Sequence, residues 1–391
     1  MADFIPRAVT GTVLKDTPPE AAVIIGPRGC GKTTLLTEII KHCPGEARWF
    51  NCDLPSVAQK IRFVSRGDAE NFLRLAPTIV LEEVQRVPDI GLMLKILVDL
   101  NERREKPARL FVSASTSLVL APGIQESAVG RLRERPIWPF SMAEIASHHY
   151  PGFVQDNLDT FLVYGSSPRA AKDFDAAADF LTDFSQGLLF KDLFSLTEIR
   201  KPQALTALAT ALAKRIGETV TFESLGRELG LSKNTAERYT YLLELAGIVR
   251  VLTSYTGVLS NEIKRGKKVY FTDVGVRNAL IGDFSPFSTR ADAAALWENF
   301  FFMERVKLHD AARDRKRLFF WRTKGARPHT VDFLERKDGK LEAFVCRLSG
   351  DNAAADPVFA AGYPGVPVHV VTPQNCLPFL GITAAGPASG S

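Results

Sequence analysis

Along the first third of the chain, short apolar runs alternate with helix-patterned stretches, as in a parallel sheet whose strands are joined by helices. Residues 21–25 read as a buried strand and residues 32–42 as the helix that follows it. Residues 48–52, 78–81 and 109–113 read as the second, third and fourth strands, and residues 135–138, closed by Pro139, as a fifth. Five strands with intervening helices make one α/β domain. From 142 to about 201 the pattern is helical and aromatic-rich, with alanines over 170–178, and suggests a lid or connector. A compact three-helix pattern follows: 203–216, then 222–229 with a turn at Gly230, then a helix capped by Ser232 and running to about Ala246. Residues 248–253 are strand-like. Beyond Tyr255 the pattern changes again, to strands at 268–272 and 317–322 around a helix at 291–309. A hairpin of 331–336 and 341–348 is expected, joined by the turn Lys337-Asp338-Gly339-Lys340. The expected fold class is therefore α/β.

Composition narrows this little. With 391 residues, 46% hydrophobic and 24% charged, the chain can build more than one buried core. A net charge of +5 permits a nucleic-acid partner without arguing for one, since a clustered basic face is the informative signal. The five cysteines, Cys30, Cys43, Cys52, Cys346 and Cys376, show no metal-ligand spacing, and a reducing cytoplasmic setting is expected. No stretch has the ~18–20 apolar residues of a membrane span, and the first 19 residues hold no signal-peptide core, so no membrane partner is expected. The small, Gly/Ser-rich tail 384–391 is expected to fray.

The chemistry concentrates in Gly26-Pro27-Arg28-Gly29-Cys30-Gly31-Lys32-Thr33-Thr34, which satisfies G-x-x-x-x-G-K-[ST] between a strand and a helix. The glycines let backbone N–H groups face phosphates, and the helix N-terminus adds a favourable field. Lys32 is expected on the β- and γ-phosphates, and the Thr33 hydroxyl on Mg²⁺. ATP with Mg²⁺ is thus the expected cofactor. The third strand runs into Glu82-Glu83: Glu82 takes the metal role and Glu83 the general-base role. An aspartate is usual at the first position, so Glu82 is one methylene longer. Ser113 or Ser115, at the end of the fourth strand, can orient the attacking water. Arg131, Arg133 and Arg135 precede the expected fifth strand. In ring-forming ATPases an arginine here is offered to the neighbouring subunit's γ-phosphate, and Arg131 is the candidate for that role in a homo-oligomer.

Taken in order, these stretches resemble prokaryotic AAA+-like ATPases that carry a C-terminal domain with winged-helix and PD-(D/E)xK nuclease-like parts. The resemblance rests on the phosphate loop, on Leu81-Glu82-Glu83-Val84-Gln85-Arg86-Val87-Pro88, and on Glu126-Ser127-Ala128-Val129-Gly130-Arg131 and Pro139-Phe140-Ser141-Met142-Ala143-Glu144-Ile145. Further along it rests on Lys268-Val269-Tyr270-Phe271-Thr272-Asp273-Val274-Gly275, Trp297-Glu298-Asn299-Phe300, and Phe320-Trp321-Arg322 before Val331-Asp332-Phe333. It covers nearly the whole chain. It implies a P-loop AAA+ core over 1–141, a helical lid or connector over 142–201, a winged helix-turn-helix over 202–255 and a nuclease-like domain over 256–383. It also implies an ATP-driven switch. Two departures matter. The family's Asp-Glu is Glu82-Glu83 here, which makes binding more secure than hydrolysis. Glu298 and Asp332 match the first two acids of the nuclease-like part, but Val345-Cys346-Arg347 stands where the family has Glu-Val-Lys. Valine cannot bind metal, and Arg347 lacks a lysine's tunable pKa. Glu342 lies on the same strand at a different position. The implication is a nuclease relic without activity.

Ser232-Lys233-Asn234-Thr235 opens the candidate recognition helix, Arg238 follows one turn on, and the basic turn Lys264-Arg265-Gly266-Lys267-Lys268 can act as a wing on DNA. An interdomain role for the same helices remains open, and Glu237 and Glu244 soften their charge. The leading expectation is an ATPase whose cycle drives a conformational or assembly change, with DNA as the candidate partner. The alternative is a slow-turnover regulatory switch or adaptor. A GTPase is disfavoured because no N-K-x-D guanine motif is present, and a small-molecule kinase because the chain after the fifth strand reads as lid and winged helix rather than as an acceptor pocket.

Overall fold

The run Ala21–Ile25 (β1) is almost wholly buried and sits near the middle of a five-stranded parallel sheet. The computed structural model describes residues 4–16, 18–63, 65–114, 130–196, 202–257, 266–350 and 356–383. Its contacts divide the chain into two compact units, Met1–Trp138 and Pro139–Ser391.

In the first unit, a short helix Thr10–Lys15 (α1) precedes β1. The helix Lys32–Lys41 (α2) and the strand Ala47–Asn51 (β2) follow it. Helices Pro55–Ile61 (α3) and Arg66–Leu73 (α4) lead to the strand Thr78–Glu82 (β3). Helix Ile90–Asn101 (α5) leads to the strands Arg109–Ala114 (β4) and Leu132–Pro136 (β5). The strand order is β2-β3-β4-β1-β5, all parallel. β3 is buried at every position, as expected of a parallel sheet covered on both faces. One face packs Val23, Ile79 and Val112 against α5 residues such as Leu94 and Leu97. The other packs Ile24, Val80 and Phe111 against Leu35, Leu36 and Ile39 of α2.

The fifth strand lies earlier than the apolar run 135–138 suggests. It is Leu132–Pro136, so Arg133 and Arg135 sit on the strand rather than before it, and only Arg131 immediately precedes it. Among the described residues β5 is an edge strand paired with β1 alone, so it tolerates the charged alternation that a central strand would not. The two displaced arginines are structural: Arg133 pairs with Glu20, and the buried Arg135 with Asp16.

The second unit opens with helices Met142–His148 (α6), Pro151–Asp156 (α7), Leu158–Tyr164 (α8) and Ala177–Leu196 (α9). Then come helices Pro202–Ala213 (α10), Phe222–Leu229 (α11) and Lys233–Leu245 (α12), and the antiparallel strands Val249–Thr253 (β6) and Lys267–Phe271 (β7). Val220, just before α11, bridges to Lys267 as a third extended segment. Helices Val274–Ile281 (α13) and Ala293–Ala312 (α14) precede the strands Arg317–Arg322 (β8), Thr330–Lys337 (β9) and Lys340–Cys346 (β10). Helix Pro357–Gly362 (α15) and strand Val368–Val371 (β11) complete the unit. The sheet order is β11-β10-β9-β8, antiparallel except for the parallel β10–β11 pair. The expected hairpin is β9–β10, with Asp338 and Gly339 at positive φ in its turn, as a two-residue connection requires. Aromatic rings of α14 pack on this sheet, Phe301 and Phe302 against Phe333. No helix among the described residues is long and apolar enough to cross a membrane.

Candidate nucleotide site

The loop between β1 and α2 lies at the carboxyl edge of the parallel sheet, where open α/β sheets place their ligands. Gly26 is buried, and a Cβ there would fall 2.3 Å from the Ile137 carbonyl oxygen and 2.8 Å from the Cys30 sulfur. Only glycine fits that approach. Gly31 caps α2 at φ 96°, a conformation that residues with a Cβ rarely adopt. Lys32 is nearly buried, and its ammonium donates to the carbonyls of Gly26 (3.1 Å) and Pro27 (3.2 Å). It also lies 3.9 Å from a Glu83 oxygen. Arg28, Gly29, Thr33 and Thr34 are exposed on the open side of the loop and the first turn of α2, whereas Pro27 and Cys30 are buried.

The Thr33 hydroxyl donates directly to Glu82, which closes β3 and is almost fully buried. The second Glu82 oxygen accepts a hydrogen bond from the Trp49 indole at 3.0 Å. Glu83 follows at φ 55°, ψ 43°, a left-handed backbone that few residues other than glycine adopt. The turn carries Glu83 out of the strand's alternation, toward Lys32, and Gln85 donates to its carboxylate at 2.6 Å. Ser113, beside Ile24 in the β1–β4 register, is fully buried, and its hydroxyl has no hydrogen-bond partner among the described residues. Ser115 lies outside the described residues, as do 126–129.

Arg131 sits at the other edge of the sheet. Its carbonyl accepts from Ala21 N, at the start of β1, so the length of β1, roughly 16 Å at ~3.3 Å per residue, separates it from the loop. Its guanidinium is paired with Asp99 of α5 and is about one-third exposed. It therefore does not join Lys32, Thr33, Glu82, Glu83 and Ser113, which the fold brings to the same edge.

The site fits a nucleoside triphosphate with Mg²⁺. The loop geometry requires glycine at two points, a lysine is held within the loop, and a hydroxyl already touches a buried carboxylate. Trp49, Gln85 and Arg7, which donates to the Cys30 carbonyl, join the site without any signal in the sequence. No motif marks them, because each acts through a contact made only after folding.

The second unit gathers the other acids. Lys268 Nζ is 2.8 Å from Glu298 and 3.8 Å from Asp332. Burial opposes its charge, but the charges of Glu298 and Asp332 outweigh that and raise its pKa. Tyr270 also donates to Glu298, Cys346 N donates to Asp332 at 2.7 Å, and Arg347 lies 3.6 Å from Asp332. Val345 is buried among apolar side chains, and Glu342 faces Lys316. No group of three or more His, Cys, Asp or Glu residues among the described positions is arranged to hold a metal ion. In the candidate recognition helix, Ser232 caps α12, while Lys233, Asn234 and Arg238 are exposed. Lys264 and Arg265 lie outside the described residues.

Comparison with known proteins agrees with the first unit. Residues 18–146 match the family model described as an AAA domain, and residues 155–286 match a domain of unknown function, DUF8612. The sheet, the phosphate loop and the AAA match together support an AAA-type P-loop ATPase domain. Uncharacterized proteins of Mycobacterium bovis and Mycobacterium tuberculosis are each 27% identical over 336 residues, 84% of this chain and 68% of theirs. Among solved structures, a Walker-type ATPase of Pyrococcus abyssi aligns at 13% identity and TM-score 0.46, over 71% of this chain and 96% of that one. The Thermotoga maritima RuvB Holliday junction branch migration motor aligns at 16% identity and TM-score 0.32, over 62% and 85%.

Proposed function

We propose that this chain binds ATP with Mg²⁺ through Gly26–Thr34, hydrolyses it, and uses the cycle to drive a change of conformation or assembly. The observation that carries this is the meeting of Thr33 and Glu82 beside Lys32 and Glu83, four side chains from two separate segments. Lys32 would neutralise phosphate charge, and Thr33 and Glu82 would hold the Mg²⁺ shell. Bound Mg²⁺ would supply charge stabilisation for the transferred phosphoryl group. Glu83 would take a proton from the attacking water, which Ser113 would help orient. Arg131, remote from its own loop, would serve a neighbouring copy's site in a homo-oligomer. Five free cysteines favour a reducing, cytoplasmic setting.

For the second unit we propose a helical connector, a winged helix and a PD-(D/E)xK-like fold without nuclease activity. Three helices followed by the β6–β7 hairpin support the winged helix. The order α14-β8-β9-β10-α15-β11 supports the nuclease-like fold. Lys268 between Glu298 and Asp332, and buried Val345 in place of an acid, argue against metal-dependent cleavage. Exposed Lys233, Asn234 and Arg238 make DNA the candidate partner. The slow-turnover switch is favoured by one observation, the longer Glu82 held by both Thr33 and Trp49.

Measuring particle size and ATPase rate with and without DNA separates these readings. Stimulation by DNA that disappears in Lys233→Ala with Arg238→Ala supports the DNA-linked cycle. Absence of Mg-ATP binding, or equal binding by Lys32→Ala, overturns the nucleotide reading.

A further inference from the structure

We infer that Arg7, nineteen residues before the phosphate loop begins, is a positioning residue that fixes the direction of one loop peptide. The proposal rests on the nucleotide-binding reading and assigns a further residue to that site. Arg7 stands just before α1, and its side chain is nearly buried. Its Nη1 donates to the Cys30 carbonyl at 2.7 Å and its Nη2 to the Trp138 carbonyl at 2.6 Å. One guanidinium thus joins the loop to the segment that follows β5. That segment is also the loop's wall: Ile137 N donates to Ile25 O at 2.8 Å, and the Ile137 carbonyl is what excludes a side chain at Gly26.

The consequence follows from the planar trans peptide. Carbonyl and N–H point in opposite directions across each peptide, so fixing the Cys30 oxygen on Arg7 turns the Gly31 N–H away from Arg7. A phosphate loop works by presenting such N–H groups to phosphate oxygens. If this peptide flipped, it would present a carbonyl oxygen instead, which repels phosphate. Gly31 makes a flip sterically accessible, since its φ of 96° shows a residue free of Cβ constraints. The glycine that allows the loop to form therefore leaves it able to misform. The planar fork of Arg7, which donates to two carbonyls at once, opposes that. A lysine could satisfy only part of this geometry.

The test measures binding of fluorescent ATP and ADP to wild type, Arg7→Ala and Arg7→Lys, alongside unfolding midpoints without nucleotide. The expected result is folded variants whose Kd rises on the order of 10- to 100-fold in Arg7→Ala, with Arg7→Lys in between. Wild-type affinity in folded Arg7→Ala overturns the proposal. If Arg7→Ala does not fold, Arg7→Lys decides in the same way. Hydrogen–deuterium exchange across 26–34 provides the second readout. Faster exchange there in Arg7→Lys, with the rest of the first unit unchanged, supports the clamp, and unchanged exchange overturns it. Should wild type bind no nucleotide, the nucleotide reading fails, and the exchange measurement still decides whether Arg7 holds the loop.

Discussion

Glu82 and Glu83 are neighbours in sequence but receive opposite treatment from the backbone. Glu82 ends β3 in regular extended geometry and is gripped by Thr33 and Trp49. Glu83 enters a left-handed turn that swings its carboxylate toward Lys32. Strained backbone of this kind persists where surrounding contacts hold it. The difference predicts separable phenotypes. Glu83→Gln should retain ATP while turnover falls on the order of 100- to 10,000-fold, the range of a lost general base; single-turnover kinetics at equal rates would remove Glu83 from that role. If Glu82 holds the metal as proposed, Trp49→Phe should raise the Mg²⁺ concentration needed for ATP binding by about 10-fold or more, the effect of losing a metal ligand's outer partner. Binding in EDTA should stay the same, and an unchanged Mg²⁺ titration would show that the indole does not matter to the metal. Both acids were legible in the sequence. Trp49 was not, because nothing local links an indole on β2 to an acid on β3.

The caps show how far local sequence reaches at the scale of elements. Ser232 marks the start of α12 in the sequence, and its side chain accepts from Thr235 N. Ser141 with Glu144 forms a full capping box on α6. Asp273 does more than its sequence position reveals. Its carboxylate caps α13 by accepting from Gly275 N and Val276 N, and it also accepts from Ser166 N, 107 residues away. Asp273→Ala should therefore cost at least the upper end of an ordinary cap, about 2 kcal/mol. Urea unfolding would measure it, and a loss of only a few tenths would show that water replaces the carboxylate. Asn299 works similarly, exchanging hydrogen bonds with both backbone groups of Phe271. The fifth strand is the counterexample. Its apolar content is low because it has one neighbour, so the hydrophobic run beside it drew the expected strand too late.

The proposed assembly and the acid response are properties of the whole molecule. Arg131 stands at the far edge of its own sheet, so its predicted defect is in trans. Mixing Arg131→Ala with Lys32→Ala should restore part of the ATPase activity that each lacks; no recovery in intact oligomers would count against a shared site. Glu335 governs the second prediction. Burial alone pushes its pKa up, but the close approach of His309 Nε2 at 2.9 Å, with the hydrogen bonds and charge of Arg305, outweighs this and holds the carboxyl far below the usual range. Arg305 binds it through two bonds at 2.7 and 2.8 Å, and Lys316 adds a third at 2.7 Å. A depressed folded pKa gives stability that is present above the unfolded value of about 4.3 and lost as pH falls toward the folded one. Glu335→Gln should cost about 3–5 kcal/mol at neutral pH, because Arg305 is left without its buried carboxylate. The gap from wild type should narrow as pH falls below 4; a constant gap would mean that the charge is not what Glu335 contributes.

By itself, the sequence determined the strand–loop–helix of the phosphate loop, the acids closing the third strand, the Ser232 cap and the β9–β10 turn. Each depends on steric and hydrogen-bonding rules that act within a few residues. Tertiary structure alone decided which distant groups complete them: Arg7 on the Cys30 carbonyl, Trp49 on Glu82, Lys268 between Glu298 and Asp332, and Arg131 at the edge away from its own loop. Strand order places Trp49 of β2 beside Glu82 of β3 and Arg131 at the start of β5, while the packing of helices, loops and two separate sheets makes the other two pairings. All of them join residues far apart in the chain, and no local pattern encodes them.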